Sequence, residues 1–175
     1  WGKSNGDLNL PSTPSLSVTL SKLTTKTTVS TNETDVLYIN GQSVQDEKIS
    51  KFLNSLRKIH TIKNIRIETE NNFPTSAGLA SSAAGFAALT TALNGHFSLG
   101  FSKQQISAIA RTGSASAARS IYGGFVGLQG PDREAEPIFK PDYWPLRIVI
   151  ATINTEKKKT GSSKGMEITR LTSPF

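Results

Sequence analysis

The sequence predicts an α+β domain, and three observations support this prediction. In the opening part of the chain, up to Gly41, apolar side chains alternate with polar ones, as they do in half-buried strands. Farther along, segments with apolar residues at helical spacing interleave with further strand-like segments. The 175 residues contain no internal repeat and no long linker, so they fit one compact domain or most of one.

Three antiparallel strands are expected in this opening part. Residues 15–21 alternate, residues 22–31 are rich in threonine, and residues 36–39 precede Asn40-Gly41, a dipeptide typical of tight hairpin turns. Residues 1–11 are polar and are predicted to be irregular.

Helices are predicted where apolar residues recur every three or four positions. These are residues 46–59, an alanine-rich helix that follows the loop 71–78 and ends near Leu93, residues 102–111 with Ser102 as N-cap, residues 114–121, and a last helix from Ser162 or Ser163. The remaining predicted strands lie around Ile65 and Ile67, at 125–129 and at 146–153, whereas 130–141 are expected to form a polar loop.

The composition excludes several kinds of site. The chain has no cysteine and only two histidines, which excludes disulfides, thiolate metal sites and a His-rich metal site. No charge-free apolar run approaches the roughly 18 to 20 residues of a membrane helix, and no signal peptide is visible. These features fit a cytoplasmic protein without a membrane partner.

Charge is distributed unevenly along the chain. The net charge of +7 indicates either a solvated basic surface or an anionic partner. Residues 71–131 contain no Asp or Glu, and their only formal charges are Lys103, Arg111 and Arg119. This stretch is also the richest in Gly, Ser and Ala, so it is electrostatically open to phosphate.

A loop of small residues precedes the alanine-rich helix and has the features of a phosphate-binding loop. Helix N-termini carry unpaired N–H groups and a partial positive charge, and Gly78 lets the backbone approach oxygen atoms closely. Ser81 and Ser82 can donate to phosphate or contact its Mg²⁺. No Gly-Lys-Ser/Thr follows, so the loop is not a Walker-type P-loop. Composition alone leaves a close-packed helix start without a ligand as a second interpretation.

The order of residues in this loop resembles a known family. Residues 74–83, Pro-Thr-Ser-Ala-Gly-Leu-Ala-Ser-Ser-Ala, are similar to the ATP-binding motif of the GHMP kinases. The longer string from Asn71 to Gly85 resembles the mevalonate diphosphate decarboxylases of that superfamily. Further segments match in order: Trp1-Gly2-Lys3, Leu10-Pro11 with residues 15–20, residues 111–120 with 122–125, and residues 156–158 with Gly165-Met166. Ala115 and Ala118 replace the family's Gly and Cys, and neither change removes a charge.

The resemblance implies a fold and a domain organisation. Residues 1–154 would form the ribosomal protein S5 domain 2-like sandwich of a GHMP-kinase N-terminal domain, and residues 155–175 would begin the C-terminal domain. We expect a natural protein longer by about one half-domain. The catalytic Asp of the family would lie after the position of Phe175. A cytoplasmic homodimer is implied as well.

The resemblance also implies a reaction. ATP phosphorylates the tertiary 3-hydroxyl of mevalonate 5-diphosphate, and the new phosphate leaves as the carboxylate is lost as CO2. The product is isopentenyl diphosphate, a precursor in isoprenoid synthesis. This chemistry requires a cradle for ATP and Mg²⁺, cations for a diphosphate and a carboxylate, and a group that orients the hydroxyl.

The functional residues of the family carry over to matching positions. Arg119 would bind the substrate carboxylate through its fork of donors, and Arg119 and Ser114 are the candidate catalytic residues. Trp1, Lys3 and Ser116 complete the substrate-binding set, with Lys3 toward the diphosphate. The ATP-binding candidates are Ala77, Gly78, Leu79, Ala80, Ser81, Ser82, Ala83 and Gly85, with Ser81 and Ser82 also next to Mg²⁺. Structural alternatives are a surface role for Arg119, helix capping by Ser114 and a frayed terminus at Lys3.

Other functions stay open at this point. A related GHMP small-molecule kinase or a phosphomevalonate decarboxylase would share these motifs, and release of CO2 with isopentenyl diphosphate distinguishes them. A nucleic-acid-binding domain is a remote alternative because the basic residues are scattered and aromatic residues are not interleaved with them. We therefore expect small-molecule partners and no nucleic acid.

Overall fold

Two larger β-sheets, a short β-ribbon and five helices form the part of the chain that the computed structural model describes, residues 3–6, 8–74, 79–129, 134–151 and 160–174. The strands are β1 (Lys3–Asn5), β2 (Leu10–Pro11), β3 (Ser15–Val18), β4 (Thr25–Thr31), β5 (Val36–Ile39), β6 (Gln42–Ser43), β7 (Ile65–Asn71), β8 (Phe125–Gln129) and β9 (Glu134–Phe139). The helices are α1 (Glu47–Arg57), α2 (Ser81–His96), α3 (Lys103–Gly113), α4 (Ala117–Ser120) and α5 (Ser162–Thr172).

The main hydrophobic core lies between the four-stranded sheet and the helices. The strand order is β4-β7-β5-β6, and β7 pairs antiparallel with β4 and parallel with β5. Alternate residues of these strands point into the core because side chains of a strand face opposite sides in turn. The core contains Val29, Leu37, Ile65 and Ile67 from the sheet, Phe52, Leu53 and Leu56 from α1, Phe86, Leu89 and Leu93 from α2, Ala110 from α3 and Ala117 from α4.

A second, smaller core lies on the three-stranded sheet, whose order is β3-β8-β9. It contains Ala118, Val126, Leu128 and Ala135, with Tyr122 packed against it. Because Ala117 belongs to the main core and its neighbour Ala118 to the smaller one, α4 is fixed between the two. The one short helix that carries Arg119 is therefore held from both sides.

Most predicted elements are confirmed, with small changes in their bounds. Asp46 caps α1 by accepting from the amides of Lys48 and Ile49. Ser102 forms a capping box with Gln105 at the start of α3. The turn at Asn40-Gly41 joins β5 to β6, and both residues have a positive φ, as such turns require. Helix α4 is shorter than residues 114–121 because 114–116 form the turn that precedes it.

The pairing of the opening strands differs from the expected antiparallel series. β3, β4 and β5 do not pair with one another, since β3 pairs with β8 and the other two flank β7. The connection from β5 to β7 passes through α1, and a crossover of this kind makes the two strands parallel. The start of the chain, predicted to be irregular, contains the ribbon β1–β2.

Two predictions for residues 130–153 are wrong. Residues 130–141, expected as a polar loop, include β9, an edge strand in which Pro137 is tolerated because one side of the strand needs no partner. Residues 146–151, expected in a buried strand, are exposed and belong to no described sheet. Their apolar sequence favours burial, but no described strand lies beside them to complete a ladder. Residues 130–133 of the predicted loop and residues 152 and 153 of the predicted strand lie outside the described ranges.

The helices of the described ranges all lack the length or the apolar character that a membrane crossing requires.

Gly113, the last residue of α3, lies against α2 with no room for a side chain. A Cβ built on Gly113 would come within 2.1 Å of Cδ1 of Phe86. The Phe86 ring is 5% exposed and meets the Phe52 ring edge to face, with centroids 5.2 Å apart, so it cannot retreat freely. The junction between α3 and α4 is therefore held close to α2.

Replacing Gly113 by Ala is expected to lower the free energy of unfolding by about 1–3 kcal/mol, because Phe86 and its neighbours must move. The matched control is Gly95→Ala in α2, where an added Cβ would meet nothing within 4 Å. This control is expected to raise the free energy of unfolding by about 0.5 kcal/mol through helix propensity. Denaturant unfolding of both variants measures their free energies of unfolding. Equal changes in the two variants would contradict the close contact between Gly113 and Phe86.

Candidate active site

The N-cap residue of α2 makes no side-chain capping hydrogen bond. Ala80 occupies the N-cap position with a left-handed backbone, φ 53°, and it has no side chain that could accept a hydrogen bond. The first turn contains no acidic residue, and the first amides bonded to the Ala80 carbonyl belong to Ala83 and Ala84. By contrast, side chains cap α1 and α3. The positive end of the α2 dipole is therefore left without a negative group from its own first turn.

The ATP-binding candidates of this segment are only partly described. Ala77 and Gly78 lie outside the described residues. Ser82 is exposed, Leu79 and Ser81 are half-buried, and Ala83 is buried. Residues four apart lie on one face of a helix, so Ser82 is on the same face as Phe86, which packs on Gly113. The exposed Ser82 at the start of α2 thus lies on the helix face that packs, one turn later, against the α3–α4 junction.

Gly85 has open space around it. A Cβ at this position would meet nothing within 4 Å. Packing among the described residues therefore does not require glycine at position 85.

Ser114, Ser116 and Arg119 are brought together by the tight turn between α3 and α4. The carbonyl of Ser114 accepts from the amide of Ala117 at 2.8 Å, and the carbonyl of Ser116 accepts from the amide of Arg119 at 3.2 Å. The two serine hydroxyls are 3.4 Å apart. This turn is anchored from below by Ser107, whose buried hydroxyl donates to the carbonyl of Ala118 at 2.8 Å.

The guanidinium of Arg119 is partly buried and pairs with no carboxylate in the described part of the chain. Its Nη1 donates to the hydroxyl of Ser15 on β3 at 2.5 Å, and its Nε is buried without a partner. Burial lowers the pKa of Arg119, yet an arginine side chain remains charged in proteins. A charge removed from water without an opposite charge is costly, so this arrangement favours an anion from outside the described residues.

Arg57, by contrast, has a guanidinium that is paired with a carboxylate. Arg57 donates to both carboxylate oxygens of Asp35, at 2.6 and 2.8 Å. The hydrogen bonds that Arg57 donates to Asp35 raise the pKa of Arg57, whereas burial lowers the pKa of Arg119. The difference is the carboxylate, because Arg57 has one and no described residue supplies one to Arg119.

Lys3 is also half-buried, and it forms no ion pair with a described carboxylate. Its Nζ donates to Oδ1 of Asn9 at 2.6 Å. Nδ2 of Asn9 in turn donates to the carbonyl of Thr112, one residue before Gly113. Burial, and then the charge of Lys48, lower the pKa of Lys3. Through Asn9, the ribbon β1–β2 is bonded to the end of α3 beside the serine turn.

The structure therefore joins the described substrate-binding candidates into one region, while Trp1 lies outside the described residues. Ser15 and Asn9 belong to this region and were not predicted as site residues. The alternating pattern at Ser15 indicates only a strand, and nothing in the sequence near Asn9 distinguishes it from a turn residue. Both follow from long-range contacts, 104 residues apart for Ser15 and Arg119, and 103 for Asn9 and Thr112.

No group of three His, Cys, Asp or Glu side chains suited to a metal ion occurs within the described ranges. His60 packs its ring against Phe101, and Nε2 of His96 is 3.1 Å from the hydroxyl of Thr31. Both histidines thus contact neighbouring side chains of the fold.

Comparison with known proteins identifies relatives over nearly the whole chain. The diphosphomevalonate decarboxylase of Candida albicans is 42% identical over 199 aligned positions, which cover 99% of this chain and 55% of that protein. The crystal structure of mevalonate diphosphate decarboxylase from Staphylococcus aureus has a TM-score of 0.85 and 38% identity, and covers 100% of this chain and 56% of that one. This chain spans about half the length of the curated relatives that it matches.

Two solved relatives concern ligands. One describes mevalonate diphosphate-mediated ATP binding by the mevalonate diphosphate decarboxylase of Enterococcus faecalis, with a TM-score of 0.72. The other is MDDEF in complex with MVAPP, AMPPCP and magnesium, with a TM-score of 0.71. Each is 40% identical and covers 79% of this chain and 46% of the other.

The sequence also matches a protein family over residues 1–137, which is most of the chain. The α+β fold and its likeness to the GHMP-kinase fold of the solved decarboxylases agree with this match. The chain belongs to the family of diphosphomevalonate decarboxylase-like N-terminal domains.

Proposed function

We propose that the natural protein is an ATP-dependent decarboxylase that converts mevalonate 5-diphosphate to isopentenyl diphosphate in the mevalonate pathway. The observation that carries this proposal is Arg119, a partly buried guanidinium with a buried, unpartnered Nε and no carboxylate in the described residues. A substrate with a carboxylate and a diphosphate would supply the anions that Arg119 and Lys3 lack.

The carboxylate of the substrate is assigned to Arg119. A guanidinium can bind a carboxylate through two parallel hydrogen bonds, which fixes both the position and the plane of the acid group. Ser15 already holds one end of the guanidinium at 2.5 Å, so part of the orientation is present before substrate binds. The turn that carries Ser114 and Ser116 lies in the same short segment and offers hydroxyl groups to the remaining oxygens.

The diphosphate is assigned to Lys3, a compact charge on a flexible stem. Its partner Asn9 is neutral, so the ammonium keeps its full charge for phosphate oxygens. Trp1 is included in the substrate-binding set by resemblance alone, because it lies outside the described residues.

ATP is assigned to the start of α2. Residues 79–83 fit this role because Ala80 offers no side-chain cap, the first turn of the helix has no acidic residue and the side chain of Ser82 is exposed. Ala77, Gly78 and Gly85 are included by the motif. The Mg²⁺ that accompanies ATP would be held mainly by phosphate oxygens, because the first turn of α2 has no acidic residue. The hydroxyl oxygens of Ser81 and Ser82 are the proposed protein ligands.

In the proposed reaction, the γ-phosphoryl group of ATP passes to the 3-hydroxyl, whose proton is removed. The C–O bond to the new phosphate then breaks, and the electrons of the breaking bond to the carboxylate carbon form the double bond as CO2 leaves. The residues of this chain bind and orient the reacting groups. The catalytic Asp of the family is expected outside residues 1–175.

The proposal extends to organisation and location. Residues 1–154 would be the ATP-binding domain and residues 155–175 the start of the C-terminal domain. A homodimer in the cytoplasm is implied by the family resemblance, and light scattering of the natural protein measures its oligomeric state.

Incubation of the natural protein with ATP, Mg²⁺ and mevalonate 5-diphosphate is expected to release equal amounts of ADP, phosphate, CO2 and isopentenyl diphosphate. Removing Mg²⁺ with a chelator is expected to stop all four, because the metal neutralises the charge on the phosphates. Release of ADP without CO2 would instead indicate a kinase, and turnover of mevalonate 5-phosphate alone would indicate a phosphomevalonate decarboxylase.

Arg119→Lys keeps a positive charge but removes the planar fork. We expect kcat/KM for mevalonate 5-diphosphate to fall about 10- to 100-fold, since charged hydrogen bonds contribute about 1.5–3 kcal/mol each, while KM for ATP changes less than about twofold. The matched control is Arg66→Lys, an exposed arginine paired with Glu68 on the sheet, which is expected to leave both constants unchanged. If kcat/KM of Arg119→Lys equals that of the wild type, the assignment of the substrate carboxylate to Arg119 is wrong.

A further inference from the structure

Asn9 connects two parts of the proposed site that are far apart in sequence. Its carboxamide oxygen accepts from Nζ of Lys3 at 2.6 Å, and its carboxamide nitrogen donates to the carbonyl of Thr112. The first bond lies within the ribbon β1–β2, and the second reaches the last turn of α3. Each polar atom of the side chain therefore has one partner on a different element.

The backbone at Asn9 supports this bridging geometry. Its φ is 51°, in the left-handed region that few residues other than Gly, Asn and Asp adopt at low cost. The amide of Asn9 also donates to the carbonyl of Gly6 at 3.3 Å, which closes the turn between β1 and β2. The turn thus projects the carboxamide toward both Lys3 and the end of α3.

The chemistry of the carboxamide determines how Lys3 is held. A carboxylate at position 9 could accept from Lys3, but it would neutralise the ammonium and could not donate to the Thr112 carbonyl. A residue without a polar side chain would leave Lys3 and the Thr112 carbonyl without these bonds. Among side chains that tolerate the left-handed backbone, only Asn both orients Lys3 and leaves its charge uncompensated.

We propose that Asn9 is a positioning residue that holds the ammonium of Lys3 against the serine turn, ready for a diphosphate, without neutralising it. This inference rests on the proposed function, because the diphosphate is the group that Lys3 would bind. Asn9 itself need not touch the substrate. Its bond to Thr112 fixes Lys3 relative to Ser114, two residues farther along the chain.

Two substitutions separate the charge effect from the tether. Asn9→Asp keeps a side chain suited to the left-handed backbone but places a carboxylate on Lys3. Asn9→Gly keeps the backbone and removes both bonds. A matched control is Asn40→Asp, which has a similar φ of 50° and whose side chain accepts from the amide of Asn71.

The test is the affinity of the natural protein for inorganic diphosphate by isothermal titration calorimetry, with KM and kcat for mevalonate 5-diphosphate measured alongside. We expect Asn9→Asp to weaken diphosphate binding and raise KM about tenfold, Asn9→Gly to do so about threefold, and Asn40→Asp to change neither. kcat at saturation and KM for ATP should stay within about twofold in all three variants.

A purely structural role makes a different prediction. The melting temperature and the affinity would then fall together, and Asn9→Asp would be no worse than Asn9→Gly. In a Lys3→Met background, we expect Asn9→Asp to have no further effect on diphosphate affinity, because its target is gone. The positioning role is wrong if Asn9→Asp binds diphosphate as tightly as the wild type does. It is also wrong if Asn9→Asp lowers the diphosphate affinity by the same factor in the Lys3→Met background. Either result would leave the decarboxylase activity of the wild type unaffected. If the wild type binds no diphosphate, the proposed function and this inference both fail.

Discussion

The hydrogen bond between Arg119 and Ser15 is the contact on which the proposed site depends. It holds a guanidinium that is partly removed from water, carries a buried Nε without a partner, and has no carboxylate among the described residues. Such a group is unfavourable in isolation, because burying a charge costs free energy that only an opposite charge or good hydrogen bonds offset. Helix α4, which carries Arg119, is packed between two cores, and the bond to Ser15 holds the guanidinium.

The rest of the region follows the same principle. Lys3 is half-buried and bonded to a neutral amide, and α2 has no acidic residue in its first turn and no capping side chain at Ala80. Three positive groups, the guanidinium of Arg119, the ammonium of Lys3 and the N-terminus of α2, thus lie on elements that pack together. Phe86 of α2 contacts Gly113 of α3, and Asn9 of the ribbon bonds to Thr112 of α3. The sequence supplies no carboxylate between Asn71 and Pro131 that could neutralise them. A substrate with several negative charges would compensate these positive charges. The free energy of binding could then position the groups of the substrate that react.

Local patterns in the sequence predict much of the fold but little of how the strands pair. Capping residues and apolar spacing locate α1 and α3, since these signals act within a few residues. The pairing of β3 with β8, and the parallel pairing of β5 with β7, depend on contacts that no local pattern encodes. Residues 146–151 illustrate the limit, because an apolar composition favours burial but does not supply the neighbour that completes it.

The same distinction applies to the site. Arg119 and Lys3 could be proposed from their motifs, whereas Ser15 and Asn9 emerge only when the fold brings distant segments together. A crystal structure of the natural protein with mevalonate 5-diphosphate tests the central claim most directly. We expect a substrate carboxylate oxygen within about 3 Å of the Arg119 guanidinium, with the bond to Ser15 retained. A carboxylate bound elsewhere, with Arg119 turned toward bulk water, would contradict the assignment.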